Sequence, residues 1–353
     1  MNNLTENKIH EIDKSNMFQV LLDFPKQVIE ALEIGEKAPA MSQTTDFLIL
    51  GMGGSAIGGD LLSTFFANTP GLKHIRININ RDYEIPGYIN SNTAVIASSY
   101  SGGTEETITA LKYAAEKTGN ILCITSGGTL EATADANGYK KAIIPGGLMP
   151  RCALGYSFFT LLKILLKSVA IDNQTKENIN KGIKETLELL SKKSKLYSLA
   201  NDENPAYKIA ETLKNTIPVV YSSNKLNTVN MRWRAQFQEN AKNLSFGNVL
   251  PEMNHNEINS WTNPKHLTKE FSVLMLKHSG ENKKTALRMK AVEKLLKQEA
   301  KNVLTVETNA EDYLAAMFDL IYVADWTSYF LAILNNEDPT PIPLITKLKE
   351  LLS

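Results

Sequence analysis

Two loops rich in glycine and hydroxyl side chains follow apolar runs, and their composition is typical of an anion site. The first loop, GMGGSA over residues 51–56, comes directly after the run DFLIL and opens a helical pattern. Its glycines allow the backbone to approach a ligand closely, and a helix N-terminus offers unpaired N–H groups, here around Gly54. Ser55 adds a hydroxyl donor, so the loop predicts a site for a phosphate group.

The second loop, SYSGGTEET over residues 99–107, follows the run TAVIAS and also opens a helix. The hydroxyls of Ser99, Ser101 and Thr104 can converge on one tetrahedral anion at that helix N-terminus. For any single hydroxyl the alternative is an ordinary N-cap. Ligands of open parallel sheets bind at the carboxyl ends of the strands, so two such loops in neighbouring units predict one shared phosphomonoester.

The first loop also fits the pattern GxGxxG/A of dinucleotide-binding proteins, which makes a nicotinamide dehydrogenase an alternative. Such proteins place an acidic residue at the end of the next strand to hold the ribose hydroxyls. Here the run ININ ends in Asn80, and Asp82 comes two residues late. The missing acid argues against this alternative.

Short apolar runs alternate with helical patterns along the chain, which predicts βαβ units and parallel sheets. A lysine-rich helical segment over about 155–199 separates two sets of runs and is typical of a solvated bridge. The predicted strands are residues 46–50, 74–79, 93–98, 121–126 and 141–145 in the first set, and 217–223, 271–277 and 302–308 in the second. The predicted fold class is α/β, with two doubly wound domains over residues 1–165 and 166–353.

The stretch EDYLAAMFDLIYVADWTSYFLAIL, residues 311–334, is apolar around most of a helical circumference. A helix of this kind has to be covered on all sides. We therefore expect it to lie between domains or subunits, which favours an oligomer.

Composition excludes several classes of protein. Lys plus Arg and Asp plus Glu both number 38 in 353 residues, so no overall positive field would attract nucleic acid or anionic lipid. Cys123 and Cys152 fit neither a metal-ligand nor a disulfide spacing, which favours a reducing cytoplasm. The N-terminus lacks the apolar core of a signal peptide, and Lys163 and Lys167 interrupt the longest apolar segment, residues 157–171. We expect a cytoplasmic protein that neither binds nucleic acid nor spans a membrane.

The motif SYSGGT fits the Ser-x-Ser-Gly-x-Thr phosphate loop of the sugar isomerase (SIS) domain. From about Leu48 to the C-terminus, the chain resembles the bifunctional phosphoglucose/phosphomannose isomerases of archaea and bacteria. The motifs that carry this resemblance, in order, are GMGGSAIGGDLL, SYSGGTEET, MPRCALGY, RWRAQFQENAK, PEMNHNEI and DPTPIPLITKLK.

The resemblance implies two flavodoxin-like SIS domains, the N-terminal one with the phosphate loops and the C-terminal one with a catalytic Glu and His. It further implies a homodimer that uses neither metal nor cofactor. The implied reaction is the isomerisation of glucose 6-phosphate or mannose 6-phosphate to fructose 6-phosphate, a step of carbohydrate metabolism.

Each site residue takes its role from the motif in which it lies. Gly54 and the hydroxyls of the two loops would hold the phosphate, and Arg151 would face the enediolate. Glu239 would be the base, and His255, from the partner subunit, would open the sugar ring together with Lys349. Lys347 competes with Lys349 for this role. The residues with implied roles are Gly54, Ser55, Ser99, Ser101, Thr104, Arg151, Glu239, His255 and Lys349.

These roles agree with what the reaction requires. A proton moves between C1 and C2, so one carboxylate in reach of both carbons suffices as the base. A fixed guanidinium stabilises the negative charge of a cis-enediolate. An imidazole can exchange protons with the ring oxygen near neutral pH. Among five histidines, His255 has the polar setting NHNEI; we expect structural or surface roles for the others, which are His10, His74, His266 and His278.

One position departs from the family pattern, and one alternative function stays open. The family has a threonine near the sugar where this chain has Ile342, with Thr340 out of register, which makes acceptance of mannose 6-phosphate less secure. The alternative is a SIS module that senses a sugar phosphate without chemistry. It would keep both phosphate loops and would have no use for Arg151, Glu239 or His255.

Overall fold

The computed structural model describes residues 4–352, which form two compact units. The first unit runs from Phe24 to Leu187, and the second joins the residues up to Asp23 to the chain from Glu188 onward. This division differs from the predicted boundary between residues 165 and 166. The N-terminal residues belong to the second unit because they pack there: the ring of Phe18 meets that of Trp326 edge-on, with centroids 5.3 Å apart.

The first unit contains the predicted five-stranded parallel sheet. Strands β3 and β4 are buried along their whole length, as expected for apolar runs covered on both faces. Helix α6 ends at Gly138, whose φ of +67° is the left-handed conformation of a helix C-cap. The elements of this unit are α3 (Phe24–Lys37), β1 (Asp46–Leu50), α4 (Gly53–Asn68), β2 (Arg76–Asn80), β3 (Ala94–Ser98), α5 (Glu105–Ala115), β4 (Ile121–Thr125), α6 (Gly128–Asn137), β5 (Lys140–Ile143) and α7 (Leu161–Ser168), preceded in the second unit by α1 (Glu6–Ile12) and α2 (Met17–Leu22).

The strand order of the first sheet is β2-β1-β3-β4-β5, the flavodoxin-like order, and all strands are parallel. The order reverses between β1 and β3, which are hydrogen-bonded neighbours with Leu50 opposite Ala97. The connections after these two strands leave in opposite directions and open a crevice at their carboxyl ends. Both predicted phosphate loops lie at this crevice, because one follows β1 and the other follows β3.

The second unit contains a four-stranded parallel sheet of order β7-β6-β8-β9. Three of its strands were predicted, whereas β7 was missed because FGNVL contains Gly and Asn and lacks an apolar run. Its elements are α9 (Pro205–Leu213), β6 (Ile217–Ser223), α10 (Asn227–Glu239), β7 (Phe246–Leu250), α11 (Lys265–Thr268), β8 (Phe271–His278), α12 (Lys283–Glu299), β9 (Asn302–Thr308), α13 (Tyr313–Leu334) and α14 (Pro343–Leu352), and the lysine-rich α8 (Asn173–Tyr197) crosses the division between the units.

The two faces of the second sheet are covered by different elements. On one face, α10 packs under α13, and the indole N–H of Trp233 donates to the carbonyl of Leu320 at 2.9 Å. On the other face, a core cluster joins Tyr221 of β6 to Met253 and Trp261 of the β7–β8 connection and to Val292 of α12. The predicted catalytic residues Glu239 and His255 belong to elements on these two different faces.

Helix α13 is long and apolar enough to cross a membrane, but 94% of its most apolar stretch is buried inside the protein. Its neighbours within the second unit are α2, α9, α10 and β9. The chain itself therefore covers this helix, so no interface between subunits is needed to bury it. Its composition consequently gives no support to an oligomer.

Candidate active site

The first loop turns sharply at the N-terminus of α4, where its glycines leave the backbone accessible. Gly53 has a φ of +45°, a conformation that side chains other than glycine rarely adopt. Ser55 lies in the first turn and is nearly buried. Its Oγ accepts a hydrogen bond from the backbone N–H of Tyr100 at 2.9 Å, which ties the first loop to the second.

The second loop turns tightly at the N-terminus of α5. The hydroxyls of Ser99 and Thr104 are 2.7 Å apart, whereas Ser101 is exposed and its Oγ accepts from the N–H of Gly103 at 3.4 Å. A Cβ on Gly102 would fall 1.8 Å from the carbonyl oxygen of Gly127, and Gly102 also has a φ of +69°, so only glycine fits. The predicted hydroxyls are therefore gathered at one helix N-terminus.

A third loop, which sequence reasoning missed, supports the second. Thr125, Ser126, Gly127 and Gly128 follow β4, and the Oγ of Ser126 donates to the carbonyl of Tyr100 at 2.6 Å. The Oγ1 of Thr125 donates to the carbonyl of Gly127 at 2.7 Å. The letters TSGGT resemble the other two loops, and that similarity was the signal available in the sequence.

The backbone of Arg151 lies beside the first loop. It occupies a short 3₁₀ turn, Pro150–Cys152, and is only 2% exposed. A Cβ on Gly54 would fall 2.6 Å from the carbonyl carbon of Pro150 and 2.7 Å from the backbone nitrogen of Arg151. The absence of a side chain at Gly54 thus allows the backbone of the Pro-Arg pair to lie against the start of α4.

Glu239 is the last residue of α10, and its side chain is half-buried. Lys242 lies three residues after the end of the helix, so it does not share a helical face with Glu239. Lys242 has a φ of +51°, and its Nζ donates to the carbonyl of Asn240 at 3.1 Å and also to that of Asp338.

The rest of the motif around Glu239 fastens α10 to α13. Arg232 is buried and lies 3.0 Å from Asp325, whose other carboxylate oxygen accepts from the amide of Gln236 at 2.9 Å. The amide of Asn240 donates to the hydroxyl of Ser328 at 3.0 Å. These anchors explain the motif RWRAQFQEN structurally and hold the helix whose end carries Glu239.

His255 is exposed and ends a 3₁₀ turn, Glu252–His255, that follows β7. The chain is fastened two residues later, where the carboxylate of Glu257 accepts from the hydroxyl of Tyr221 at 2.5 Å and from the amide of Asn248 at 2.6 Å. The imidazole is therefore presented to the outside of its unit from an anchored segment.

Glu239 and His255 lie on elements of the same unit that face apart. Helix α10 and the β7–β8 connection cover opposite faces of the second sheet. Glu239 also precedes β7 and His255 follows it, and the five residues of this strand span about 16 Å.

Lys349 and Lys347 both lie on α14, where every side chain of residues 343–352 is exposed. Their positions flank the apolar stripe of Leu344, Leu348 and Leu351, one on each side. Both lysines are accessible, and the choice between them stays a prediction.

The crevice of the second sheet, between β6 and β8, is occupied by the protein's own side chains. Ser223 donates to the carboxylate of Glu281, and Nε2 of the buried His278 lies 3.1 Å from the same carboxylate oxygen. Burial would raise the pKa of Glu281, but the contacts with His278 and Ser223 outweigh it and lower that pKa. A carboxylate thus fills the place that corresponds to the crevice between β1 and β3 of the first sheet.

Comparison with known proteins gives consistent results over the whole chain. Residues 202–352 match the family model of the C-terminal SIS domain of bacterial phospho-glucose isomerase. A bifunctional phosphoglucose/phosphomannose isomerase from Caldicellulosiruptor bescii is 38% identical over 343 residues, covering 96% of this chain and 99% of the relative. One from Aquifex aeolicus is 33% identical over 304 residues, covering 85% of this chain and 88% of the relative. A crystal structure of a hypothetical protein from Thermus thermophilus shares the fold, with a TM-score of 0.70 at 17% identity over 96% of this chain and 90% of that one.

Proposed function

The chain belongs to the bifunctional phosphoglucose/phosphomannose isomerase family, and from this premise we propose that it interconverts glucose 6-phosphate and mannose 6-phosphate with fructose 6-phosphate. The observation that carries the proposal is the crevice between β1 and β3, where two hydroxyl-bearing loops meet beside a buried arginine. A dianionic phosphate at this crevice would be held by hydroxyls and by the N-termini of α4 and α5.

The phosphate would be bound by the backbone at Gly54 and by the hydroxyls of Ser55, Ser99, Ser101 and Thr104. Ser55 and Ser99 have little exposure and already have partners, whereas Ser101 is open to solvent. We assign the buried pair to shaping the site and Ser101 with Thr104 to its open side. Binding of the phosphate fixes one end of the sugar and leaves C1 and C2 free to react.

The chemical step is a proton transfer between neighbouring carbons. Glu239 takes the proton from C2 of the open-chain aldose while O1 gains a proton, which gives a cis-enediol. The same carboxyl group then returns the proton to C1, and O2 loses its proton, which balances the one gained by O1, and becomes the carbonyl oxygen of fructose 6-phosphate. Arg151 stabilises the negative charge that develops on the enediolate oxygens, and this lowers the barrier because the charge is larger there than in the substrate.

The ring must open before this step. His255, with Lys349, exchanges protons with the ring oxygen and O1, a role that suits an imidazole near neutral pH. We assign His255 to the site of a second subunit in a homodimer. Its placement at the far end of β7 from Glu239, and on the opposite face, supports this assignment, because one six-carbon sugar has to reach both groups.

The sensing module and the nicotinamide dehydrogenase are the alternatives that the sequence left open. Family membership counts against both, since the relatives named above are isomerases along almost their full lengths. We further propose that the enzyme acts in the cytoplasm, where sugar phosphates are metabolised.

The decisive test is an assay of fructose 6-phosphate formation from each aldose phosphate with wild-type protein and Glu239→Gln. General-base catalysis contributes about 100-fold to 10,000-fold, so kcat should fall by at least about 100-fold. Asn227→Asp, at an exposed position at the start of the same helix, should keep wild-type activity. Binding of fructose 6-phosphate without turnover by the wild type would overturn the proposal in favour of a sensor.

A further inference from the structure

Tyr100, the second residue of the SYSGGT loop, has a side chain that points away from the phosphate-binding hydroxyls into the unit. It is 8% exposed. Its hydroxyl donates to the carbonyl oxygen of Pro145 at 2.9 Å and accepts from the backbone N–H of Leu148 at 2.9 Å. Both ends of the segment 145–148 are therefore fastened to one phenol.

The backbone of the same residue is bound into the other two loops. Its N–H donates to the Oγ of Ser55 in the first loop at 2.9 Å. Its carbonyl accepts from the N–H of Ser126 at 3.1 Å and from the Oγ of that serine at 2.6 Å. Tyr100 is thus bonded to the first loop and the third loop while being part of the second.

The segment 145–148 leads directly into the turn Pro150–Cys152 that carries Arg151. It has no regular secondary structure, so side-chain contacts have to hold it in place. Gly54 fixes the far side of the turn by its close approach to Pro150. The phenol and the glycine therefore locate the turn from two directions.

The chemistry of the phenol suits a fixed hydrogen-bonding role. Burial raises the pKa of Tyr100, although the hydrogen bond from Leu148 lowers it. The hydroxyl stays neutral across physiological pH, and so it keeps both its donor and its acceptor function.

We infer that Tyr100 is a positioning residue, whose hydroxyl holds Arg151 in register with the bound phosphate. We assign it no contact with the phosphate or the reacting carbons, and it acts through the segment 145–148. The inference rests on the proposed function, because Arg151 must stabilise the enediolate for its position to affect the rate. A displacement of about 1 Å at a catalytic group costs as much as 100-fold in rate.

The first test is Tyr100→Phe, which removes the hydroxyl and keeps the ring. We expect kcat to fall by about 10-fold to 100-fold, with little change in KM or in affinity for inorganic phosphate. Affinity for arabinonate 5-phosphate, which mimics the enediolate, should fall with kcat. Tyr156→Phe is the matched control, since it removes another buried phenol that donates to Glu30 at 2.6 Å in the same unit.

A purely structural role would make both phenylalanine variants lose the same thermal stability and the same small amount of activity. Wild-type kcat in Tyr100→Phe would overturn the inference, and so would a rise in KM or a loss of phosphate affinity without a fall in kcat.

A double-mutant cycle with Arg151→Lys separates this inference from the proposed function. If Tyr100 acts through Arg151, Tyr100→Phe should lower kcat much less in the Arg151→Lys background than in wild type. Additive losses would overturn the positioning role and leave the role of Arg151 intact. Wild-type activity of Arg151→Lys alone would instead overturn the proposed role of the arginine.

Discussion

Glu239 and His255 stand at opposite ends of β7, on elements that cover opposite faces of the second sheet. Glu239 ends α10 before the strand begins, and His255 follows the strand in an exposed turn. Five strand residues span about 16 Å, which is more than one sugar needs to touch two groups. The relationship supports a site in which the base and the imidazole come from different subunits.

This arrangement predicts complementation between two inactive variants. Glu239→Gln and His255→Ala, co-expressed with different tags, should form mixed dimers in which one site has both wild-type groups. Random pairing makes half of the dimers mixed, so activity per chain should recover to about a quarter of wild type. That value applies to the unseparated mixture, and mixed dimers purified through both tags should have about half of the wild-type activity per chain in the isomerase assay. Mixed dimers as inactive as their parents would place His255 in the site of its own subunit.

The close approach of Gly54 to Pro150 predicts a second outcome. In Gly54→Ala, the new Cβ would lie 2.6 Å to 2.8 Å from backbone atoms of Pro150 and Arg151, and backbone cannot rotate away as a side chain can. We expect kcat to fall by at least about 10-fold, because the Arg151 turn must shift. Gly87→Ala, where a Cβ meets no atom within 4 Å, should retain wild-type kcat. A fully active Gly54→Ala would show that the position of the turn does not matter for catalysis.

The two lysines of α14 can be distinguished by separate substitution. Lys349→Ala should lower kcat with glucose 6-phosphate, whereas Lys347→Ala should not, since they lie on different sides of the apolar stripe. A substrate in which the ring is already open should reduce the effect of Lys349→Ala, as the lysine acts in ring opening. The reverse pattern would transfer the role to Lys347.

An ion-pair cluster between α12 and β8 predicts how the stability of the folded protein decreases at acidic pH. Hydrogen bonds from Lys277 and Lys297, each at 2.9 Å, lower the pKa of Glu293 from 4.5 to about 2. The folded state therefore binds the proton less tightly than the unfolded state, so this stabilisation is present above pH 4.5 and is lost as the pH falls towards 2.

In Glu293→Gln, the melting temperature should be lower near pH 7 and should fall less steeply between pH 4.5 and pH 2. Glu203→Gln, at an exposed position in the same unit, should keep the wild-type slope. An unchanged acid limb in Glu293→Gln would contradict the assignment of this group.

The sequence by itself determined the fold class and the phosphate loops, for a local reason. Apolar runs of strand length alternate with amphipathic helices, and glycine and hydroxyl residues follow the runs, so each feature lies within a few neighbouring residues. Eight of the nine strands found within residues 4–352 were predicted in this way. The strand β7 was not, because an edge strand with Asn and Gly has no apolar signal.

Only the tertiary structure decided the relations between distant residues. It brought Gly54 against Pro150, bonded Tyr100 to residues 45 and 48 positions away, and ended α10 before Lys242. It also packed α13 against α2, α9 and α10 and joined the N-terminal helices to the second unit. The physical reason is that close packing and hydrogen bonds between segments far apart in the chain depend on how the elements are stacked, whereas composition and periodicity report only on each element alone.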